Sequence, residues 1–389
     1  MKSFTFYQPT RLHFGTGSRN ATGEIVKEFM DRILFVVDPG LKAAIPEMVQ
    51  DVRESLTRAG IGFVEFDTVK PNPTLDDIQA GAKAAREAGV NGCLGMGGGS
   101  AIDTAKAIAV AATHPGTAWD YLYYKQKPTS ATLPIVAIST TSGTGTQTSK
   151  VSVFTNSADN DKSAMWNDNL LCRAAIVDPE LMVSLPPKVT AATGFDVFTH
   201  TFESYINVNA QPYVDLIALD AIQRVATYLP RVMGNPRDIE ARAELAWADT
   251  LAGVCLANVG TTLPHAAGQP ISGHYPHVSH GESLALVYPA FADFTWTGAV
   301  EKFAIVSRIF GGTGSDEEAA KSFGAVIAAF LERVGLRCFM EDFGIRAADL
   351  DPVLEHAMAF PDHTANPVKP TEQDMRNIYL KSFRQVQAA

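Results

Sequence analysis

The first 180 residues alternate short apolar runs with helix-like stretches, and this alternation constrains the fold more than any other feature. Four apolar runs have the length of buried strands, at 32–38, 62–69, 92–97 and 133–141. Helical patterns lie between them at 74–88 and 101–112. Strands that alternate with helices are typical of βαβ units and a mainly parallel sheet. We therefore expect a Rossmann-like α/β domain over residues 1–180, and the alternating segment 4–14 is a candidate for an additional hairpin.

Beyond Pro179 the pattern changes to long helical periodicities. They lie at 212–228, 238–259, 300–310, 317–334 and 375–383. We find no further cluster of β-branched residues there, so the sequence predicts an all-helical domain over residues 181–389. The expected fold class is α/β plus all-α, in which a parallel-sheet domain precedes a helical one.

Composition excludes several classes of protein. Of 389 residues, 46% are hydrophobic and 19% charged, which is typical of a globular enzyme. The net charge of −10 and the lack of a basic run argue against nucleic acid as a partner. No apolar stretch reaches the roughly 20 residues of a membrane span, and the N-terminus lacks the apolar segment of a signal peptide. The four scattered cysteines are expected to be reduced thiols, so we predict a cytoplasmic protein.

Two loops rich in glycine and hydroxyl groups follow predicted strands. The first, Gly95–Asp103, contains three consecutive glycines and leads into a helix, whose N-terminus favours an anion. Ser100 and Asp103 have the spacing of a helix start. The motif fits neither G-x-G-x-x-G nor the Walker pattern, and alone it could be a connecting turn. The second loop, Thr140–Ser149, follows another strand, and together the two loops predict a nucleotide site at one edge of the sheet.

Asp38 ends the apolar run 32–38 and has two equally plausible interpretations. Its carboxylate could accept hydrogen bonds from an adenosine ribose and repel a 2′-phosphate. It could equally form the turn before Pro39.

A metal site is indicated by carboxylate and imidazole groups in the helical half. Asp196 and His200 are four residues apart and would share one face of a helix. Four further histidines fall within sixteen residues, namely His265, His274, His277 and His280. Such ligands suit Fe(II), Zn(II) and similar ions, which can act as Lewis acids on an alcohol or carbonyl oxygen. The histidine-rich segment could also be a polar loop, and we expect at most two of its members to be ligands.

With both sets of residues identified, the chain resembles the iron-containing (group III) alcohol dehydrogenase family almost from end to end. The resemblance follows an ordered set of segments: Phe14–Gly17, Val37–Gly40, Gly97–Ser100, Asp103, Lys106, Thr140–Ser149, Ala175–Leu181, the Asp196/His200 pair, His280–Gly281 and Asn366–Pro367. It implies a dinucleotide-binding domain and a helical domain, as in dehydroquinate synthase-like folds, with the active site in the cleft between them.

The resemblance also implies roles for individual residues. The metal ligands would be Asp196, His200, His265 and His280. The cofactor site would include Asp38, Gly97, Gly98, Gly99, Ser100, Asp103, Thr140, Thr141, Thr144 and Lys162, with Lys162 near the nicotinamide and also a candidate catalytic residue. An acidic residue at position 38 favours NAD over NADP. Fe(II) is the expected ion, with Zn(II) or another divalent metal as alternatives, and a homodimer or larger homo-oligomer is expected.

Two departures from the family pattern concern the proton path and the second loop. Many members have a second histidine four residues after the third ligand, where this chain has Gln269, which cannot relay a proton as imidazole does. His274 or His277 could replace it and are our candidate catalytic histidines. The second loop has Thr146 and Gln147 where Ser-Glu is common, which removes one negative charge.

The predicted function is hydride transfer between NAD(H) and an alcohol, aldehyde or ketone whose oxygen binds the metal. Three alternatives remain open from sequence. The first is a zinc-dependent, glycerol-type polyol dehydrogenase. The second is a dehydroquinate synthase-like lyase, although the helical half lacks the basic cluster that a phosphorylated substrate would need. The third is a non-enzymatic metal-binding protein.

Overall fold

The computed structural model describes residues 3–384, apart from the side chains at positions 123 and 124. The chain divides into two compact units. The sheet unit consists of Tyr7–Leu185 and Pro236–Ala257. The helical unit consists of the described residues before Tyr7, of Pro186–Asn235 and of residues 258–384. The segment 236–257 therefore belongs to the sheet unit although it lies within the helical half of the sequence.

Strands occur only in the sheet unit among the described residues. They are β1 (Arg11–Phe14), β2 (Arg32–Val37), β3 (Gly62–Phe66), β4 (Gly92–Gly97), β5 (Ile135–Ser139), β6 (Val151–Asn156), β7 (Asp161–Trp166) and β8 (Ala174–Val177). Six of them form a parallel sheet in the order β1-β8-β5-β4-β2-β3, and β6 and β7 form a separate antiparallel pair.

Fifteen α-helices are present in the described part of the chain. They are α1 (Thr22–Lys27), α2 (Pro39–Ala44), α3 (Pro46–Arg58), α4 (Leu75–Glu87), α5 (Gly99–Ala111), α6 (Pro187–Ile206), α7 (Pro212–Gly234), α8 (Ile239–Asn258), α9 (Leu263–His274), α10 (His280–Thr295), α11 (Val300–Ile309), α12 (Asp316–Lys321), α13 (Phe323–Arg333), α14 (Leu350–Ala359) and α15 (Glu372–Lys381). Between residues 3 and 384, no helix combines the length and apolar character needed to cross a membrane.

The parallel sheet is buried on both faces, which explains why its central strands are nearly continuous apolar runs. On β2, Leu34 belongs to a buried cluster with Ile102 of α5. The next residue, Phe35, points to the opposite face and belongs to a second cluster with Val52 of α3. This two-sided burial confirms the expected α/β fold, and helices α6, α7 and α9–α15 confirm the helical character of the rest.

Four local expectations differ from the structure. The segment 4–14 is not a hairpin, because its only strand, β1, pairs in parallel with β8. Strand β8 was not predicted, since four residues, Ala-Ala-Ile-Val, are too few to show a period. Strands β6 and β7 mix polar and apolar residues and were missed for that reason. The single helix predicted over 317–334 is divided at Ser322 into α12 and α13.

Candidate metal and cofactor sites

Helix α6 presents a polar stripe on one side and an aromatic face on another. Asp196, His200 and Glu203 are spaced four and three residues apart, so their side chains follow one face of the helix. Phe198 and Phe202 point elsewhere and stack on each other with ring centroids 5.5 Å apart. All five residues are buried. The aromatic packing holds the helix in the core and fixes where the polar stripe lies.

Helices α9 and α10 bring two histidines to this stripe. His265 lies in the first turn of α9, and His280 is the first residue of α10. The start of α10 is fixed by Ser279, whose backbone N–H donates to the Glu282 carboxylate at 2.9 Å. Gly281 allows α10 to approach α6 closely, because a Cβ atom there would lie 2.1 Å from the backbone oxygen of Ala192.

The four predicted metal ligands are close together. The Oδ1 atom of Asp196 lies 3.6 Å from His200 Nδ1, 3.8 Å from His265 Nε2 and 3.7 Å from His280 Nε2. The Nε2 atoms of His200 and His265 are 3.1 Å apart. Among the described residues, Asp196, His265 and His280 form the set whose ligand atoms all lie within 4.8 Å of one another. His200 adjoins this set without belonging to it.

This donor set fits a divalent transition metal. Nitrogen and oxygen ligands lie about 2.1 Å from such an ion, so two ligands of one ion can be at most about 4.2 Å apart. The distances from Asp196 Oδ1 to His265 Nε2 and to His280 Nε2 are within that limit. His200 approaches Asp196 with Nδ1 and His265 with Nε2. One carboxylate with neutral imidazoles is also a set that Fe(II), Zn(II) and related ions prefer.

Glu203 contacts Nδ1 of His265, whereas Nε2 of the same ring faces Asp196. The sequence interpretation did not identify Glu203. Its Oε1 lies 2.8 Å from His265 Nδ1, and its Oε2 accepts a hydrogen bond from Thr262 N at 2.8 Å. Burial raises the pKa of Glu203 to about 8, and the hydrogen bond from Thr262 and the nearby His200 oppose that rise. When His265 Nδ1 donates to Glu203, Nε2 keeps its lone pair for a metal. The spacing 196, 200, 203 was the available signal.

The substitution Glu203→Gln is expected to weaken metal binding roughly 10- to 100-fold, because partners that orient metal-bound histidines have effects of that size. The amide would also place an N–H₂ group against either Thr262 N–H or His265. Metal affinity can be measured by competition with a chromophoric chelator. Glu355→Gln, an exposed change on α14, is the matched control. Equal metal affinity in both variants would contradict the supporting role of Glu203.

The other two histidines of the cluster have different partners. His274 Nε2 lies 3.2 Å from His356 Nδ1, on α14. His277 is exposed, and its Nε2 lies 3.0 Å from the backbone oxygen of Phe343. Asp362 is a further acidic residue that the sequence interpretation missed. Burial raises its pKa to about 6, whereas the hydrogen bond from Thr261 and the charge of His265 act to lower it.

In the sheet unit, most of the predicted cofactor residues lie where β2, β4 and β5 end. The strand order reverses between β2 and β4, which is where open parallel sheets bind ligands. Asp38 follows β2, and its backbone N–H donates to Met96 O of β4 at 3.1 Å. Thr140 follows β5, and its N–H donates to Gly97 O at 3.0 Å.

The glycines of the first loop lie against the threonines of the second. A Cβ atom at Gly98 would lie 3.0 Å from Thr141 Cγ2, and one at Gly99 would lie 2.6 Å from Thr144 Cγ2. A Cβ atom at Gly99 would force Thr144 to move, and one at Gly98 would displace Thr141 by a few tenths of an ångström. No side chain caps the first turn of α5, which starts at Gly99. Its backbone N–H groups suit an anionic group such as a pyrophosphate.

Ser100 and Asp103 do not form the helix start that their spacing suggested, because the N-cap of α5 is Gly98. Ser100 lies in the first turn. The Asp103 carboxylate accepts instead from Thr146 Oγ1 of the second loop at 2.5 Å and from Val153 N of β6 at 3.0 Å. Burial raises the pKa of Asp103, and Lys106 opposes this rise.

Two lysines occupy the same region with different surroundings. Lys106 is fully buried and donates to the backbone oxygens of Thr146, Ser149 and Val151 at 2.7–2.9 Å. It therefore holds the end of the second loop. Lys162, on β7, donates to Asn72 Oδ1 at 2.8 Å.

Comparison with known proteins finds relatives that match almost the whole chain. The iron-containing alcohol dehydrogenase domain matches residues 9–179, and the C-terminal domain of the Fe-containing alcohol dehydrogenase family matches residues 190–383. Choline dehydrogenase of Bacillus subtilis (strain 168) is 35% identical over 98% of this chain and 96% of its own length. The NAD-dependent methanol dehydrogenase of Bacillus methanolicus is 30% identical over 96% of this chain and 98% of its own.

A solved structure has the same fold. The NADH-dependent butanol dehydrogenase A from Thermotoga maritima matches with a TM-score of 0.91 and 29% identity, covering 99% of each chain. Sequence and structure relatives thus extend over both units. The chain belongs to the iron-containing alcohol dehydrogenase family.

Proposed function

We propose that this enzyme is a metal-dependent oxidoreductase that transfers a hydride between NAD(H) and an alcohol, or the aldehyde or ketone formed from it. The observation that carries the proposal is the convergence of Asp196, His265 and His280, whose ligand atoms lie within 4.8 Å of one another, in a chain of this family. The His280 side chain is 23% exposed, so one side of the site stays accessible, as a substrate-binding metal requires.

The proposed ligands are Asp196, His200, His265 and His280, and Fe(II) is the proposed ion, with Zn(II) as the alternative. One carboxylate among neutral imidazoles leaves a divalent ion with net positive charge. When bound, the ion supplies polarisation of an alcohol or carbonyl oxygen, and NAD supplies the hydride acceptor. Glu203 keeps His265 oriented. The packed aromatic side chains of α6 hold this helix in place, and with it Asp196 and His200.

The proposed cofactor site is the meeting point of the two loops in the sheet unit. The α5 N-terminus and the glycines before it would hold the pyrophosphate, and Thr140, Thr141 and Thr144 would line the site. Asp38 would accept hydrogen bonds from the adenosine ribose. NAD is favoured because one relative is named as NAD-dependent and one structural relative as NADH-dependent.

His274 is the proposed proton carrier, with His277 as the alternative. Gln269 lies buried on α9 and cannot transfer a proton through its amide. His274 Nε2 lies 3.2 Å from His356 Nδ1, so a proton can pass between the two rings by one hydrogen bond. Lys162 is proposed to act near the nicotinamide, and its hydrogen bond to Asn72 holds its ammonium group in place.

Asp38→Gly is expected to raise the preference for NADP relative to NAD by about 10- to 100-fold, because it removes a charge that would face the 2′-phosphate. Asp38 is the N-cap of α2, where its Oδ1 accepts from Leu41 N at 3.1 Å. Glycine at a helix N-cap costs only a few tenths of a kcal/mol, so folding should be retained. The measurement is kcat/KM with each cofactor. Asp31→Gly, at the opposite end of β2, is the matched control. An unchanged cofactor ratio in Asp38→Gly would refute the ribose assignment.

The function itself is tested by aldehyde-dependent NADH oxidation under anaerobic conditions. The purified protein is assayed as isolated, after chelation, and after reconstitution with Fe(II) or Zn(II). We expect chelation to remove activity and one of the ions to restore it. The aldehydes should correspond to short, medium and choline-type alcohols, the range that the relatives' names cover. If no form of the protein consumes NADH with any of them, the proposal is wrong.

A further inference from the structure

We infer that Asp249, on α8, is a positioning residue that sets the conformation of the second loop, and that Gln147 is the uncharged partner which this carboxylate requires. The inference rests on the proposed cofactor role of that loop. Asp249 lies more than a hundred residues from the loop in sequence, but both belong to the sheet unit.

The Asp249 carboxylate binds the loop through three hydrogen bonds. Its Oδ1 accepts from Gly143 N at 2.7 Å and from Gly145 N at 2.8 Å. Its Oδ2 accepts from Gln147 Nε2 at 2.7 Å. Both Asp249 and Gln147 have no solvent exposure. A buried carboxylate that accepts several hydrogen bonds fixes its donors more firmly than a neutral acceptor would.

The two bonds from backbone N–H groups determine where Thr144 lies. Gly143 and Gly145 flank this threonine, so the carboxylate holds the chain on both sides of it. Thr144 is the residue that closes against Gly99 at the start of α5. We place the cofactor at the contact between the two loops. This contact therefore depends on α8, a helix that is distant from both loops in the sequence.

Two further contacts seat the loop on the same turn of α8. Gly145 has φ +58°, and a Cβ atom there would lie 2.4 Å from Gly253 N, so the loop backbone rests directly on the helix. Thr148 Oγ1 donates to Thr250 O at 2.9 Å. The close packing of Gly145 and the hydrogen bond of Thr148 therefore favour the same conformation of the second loop.

The amide of Gln147 is explained by this carboxylate. Glutamate at position 147 would place a second buried carboxylate at hydrogen-bonding distance from Asp249, and one of them would have to take up a proton or move away. Gln147 donates to that carboxylate through its amide, so the pair carries a single negative charge, which the helix supplies. Because each side chain fits the charge of the other, we expect the two positions to be energetically coupled.

The test uses the full-length protein and three variants: Gln147→Glu, Asp249→Asn and the double variant. We expect Gln147→Glu and Asp249→Asn each to weaken NADH binding by about tenfold or more, as couplings in buried networks commonly do. The double variant should recover to within about threefold of the parent, because the amide introduced at position 249 can donate to the carboxylate introduced at position 147 and still accept from the loop. Glu240→Gln, an exposed charge removal on the same helix, should leave binding unchanged.

Two readouts separate positioning from general loss of structure. NADH fluorescence gives Kd, and steady-state kinetics should show a raised KM with little change in kcat. Hydrogen–deuterium exchange of residues 140–149, measured without cofactor, should accelerate in each single variant and return towards the parent rate in the double variant. Since this exchange needs no NADH, it tests Asp249 even if the parent fails to bind the cofactor, a result that would count against the proposed function alone.

The inference is overturned if exchange in the loop is the same in the parent and in both single variants. It is also overturned if the losses of the single variants simply multiply in the double variant, because independent positions behave in that way. If Asp249→Asn does not fold, Gln147→Glu and its repair by the second substitution still decide the question.

Discussion

Replacing His280 with alanine is expected to lower activity by about a thousandfold or more while the chain stays folded. His280 Nε2 lies 3.7 Å from Asp196 Oδ1, within the range that two ligands of one ion can span. Removing it takes away one donor, and polarisation by a metal contributes several kcal/mol to such reactions, at tenfold in rate per 1.36 kcal/mol. The His280 side chain is 23% exposed, so its truncation leaves no sealed cavity.

Metal content distinguishes this outcome from a folding defect. The His280→Ala variant should contain markedly less metal by elemental mass spectrometry, with an unchanged far-UV circular dichroism spectrum. His277→Ala is the matched comparison, because it removes a nearby imidazole that contacts Phe343 O. It should retain its metal. If His277→Ala loses the ion and His280→Ala keeps it, our assignment of the ligand is wrong.

Gly281→Ala is expected to destabilise the fold by about 3 kcal/mol, at the upper end of overpacking effects. Its Cβ atom would lie 2.1 Å from Ala192 O and 2.6 Å from Ala192 C, and backbone atoms cannot rotate away as a side chain can. Helices α6 and α10 would have to separate. Because α6 carries Asp196 and α10 begins with His280, the same shift should reduce metal binding.

Gly234→Ala provides the control for this substitution. Gly234 is the last residue of α7, and a Cβ atom there would meet nothing within 4 Å. Alanine should therefore be neutral or stabilise by up to about 1 kcal/mol through its helix propensity. Urea denaturation gives the free energy of unfolding of each variant. Equal stabilities would show that α6 and α10 can accommodate the additional methyl group.

The sequence was informative about the metal site where local geometry determines the answer. The spacing of Asp196 and His200 predicted that both lie on one face of a helix, and α6 confirms this. Among the four downstream histidines, spacing alone could not select ligands, because the turn between α9 and α10 sets their directions. The family resemblance selected His265 and His280, and both lie near Asp196.

The same distinction applies to the fold. Strands β2, β4 and β5 were predicted because burial on both faces makes them apolar throughout. The period of residues 238–259 correctly predicted helix α8, but a period does not reveal what a helix packs against. The contact between Asp249 and Gly143 spans 106 residues, and no local pattern encodes it.

Residue 249 must be synthesised before the loop at 143–145 can form its hydrogen bonds with the Asp249 carboxylate. At about 5–20 residues per second, synthesis of the intervening 106 residues takes roughly 5–20 s. Asp196 and His200 are made during that interval, ahead of the helix that completes the sheet unit. The sheet unit, which includes residues 236–257, therefore cannot be completed by its N-terminal segment alone. Nascent chains stalled before and after α8 should differ in their resistance to proteases.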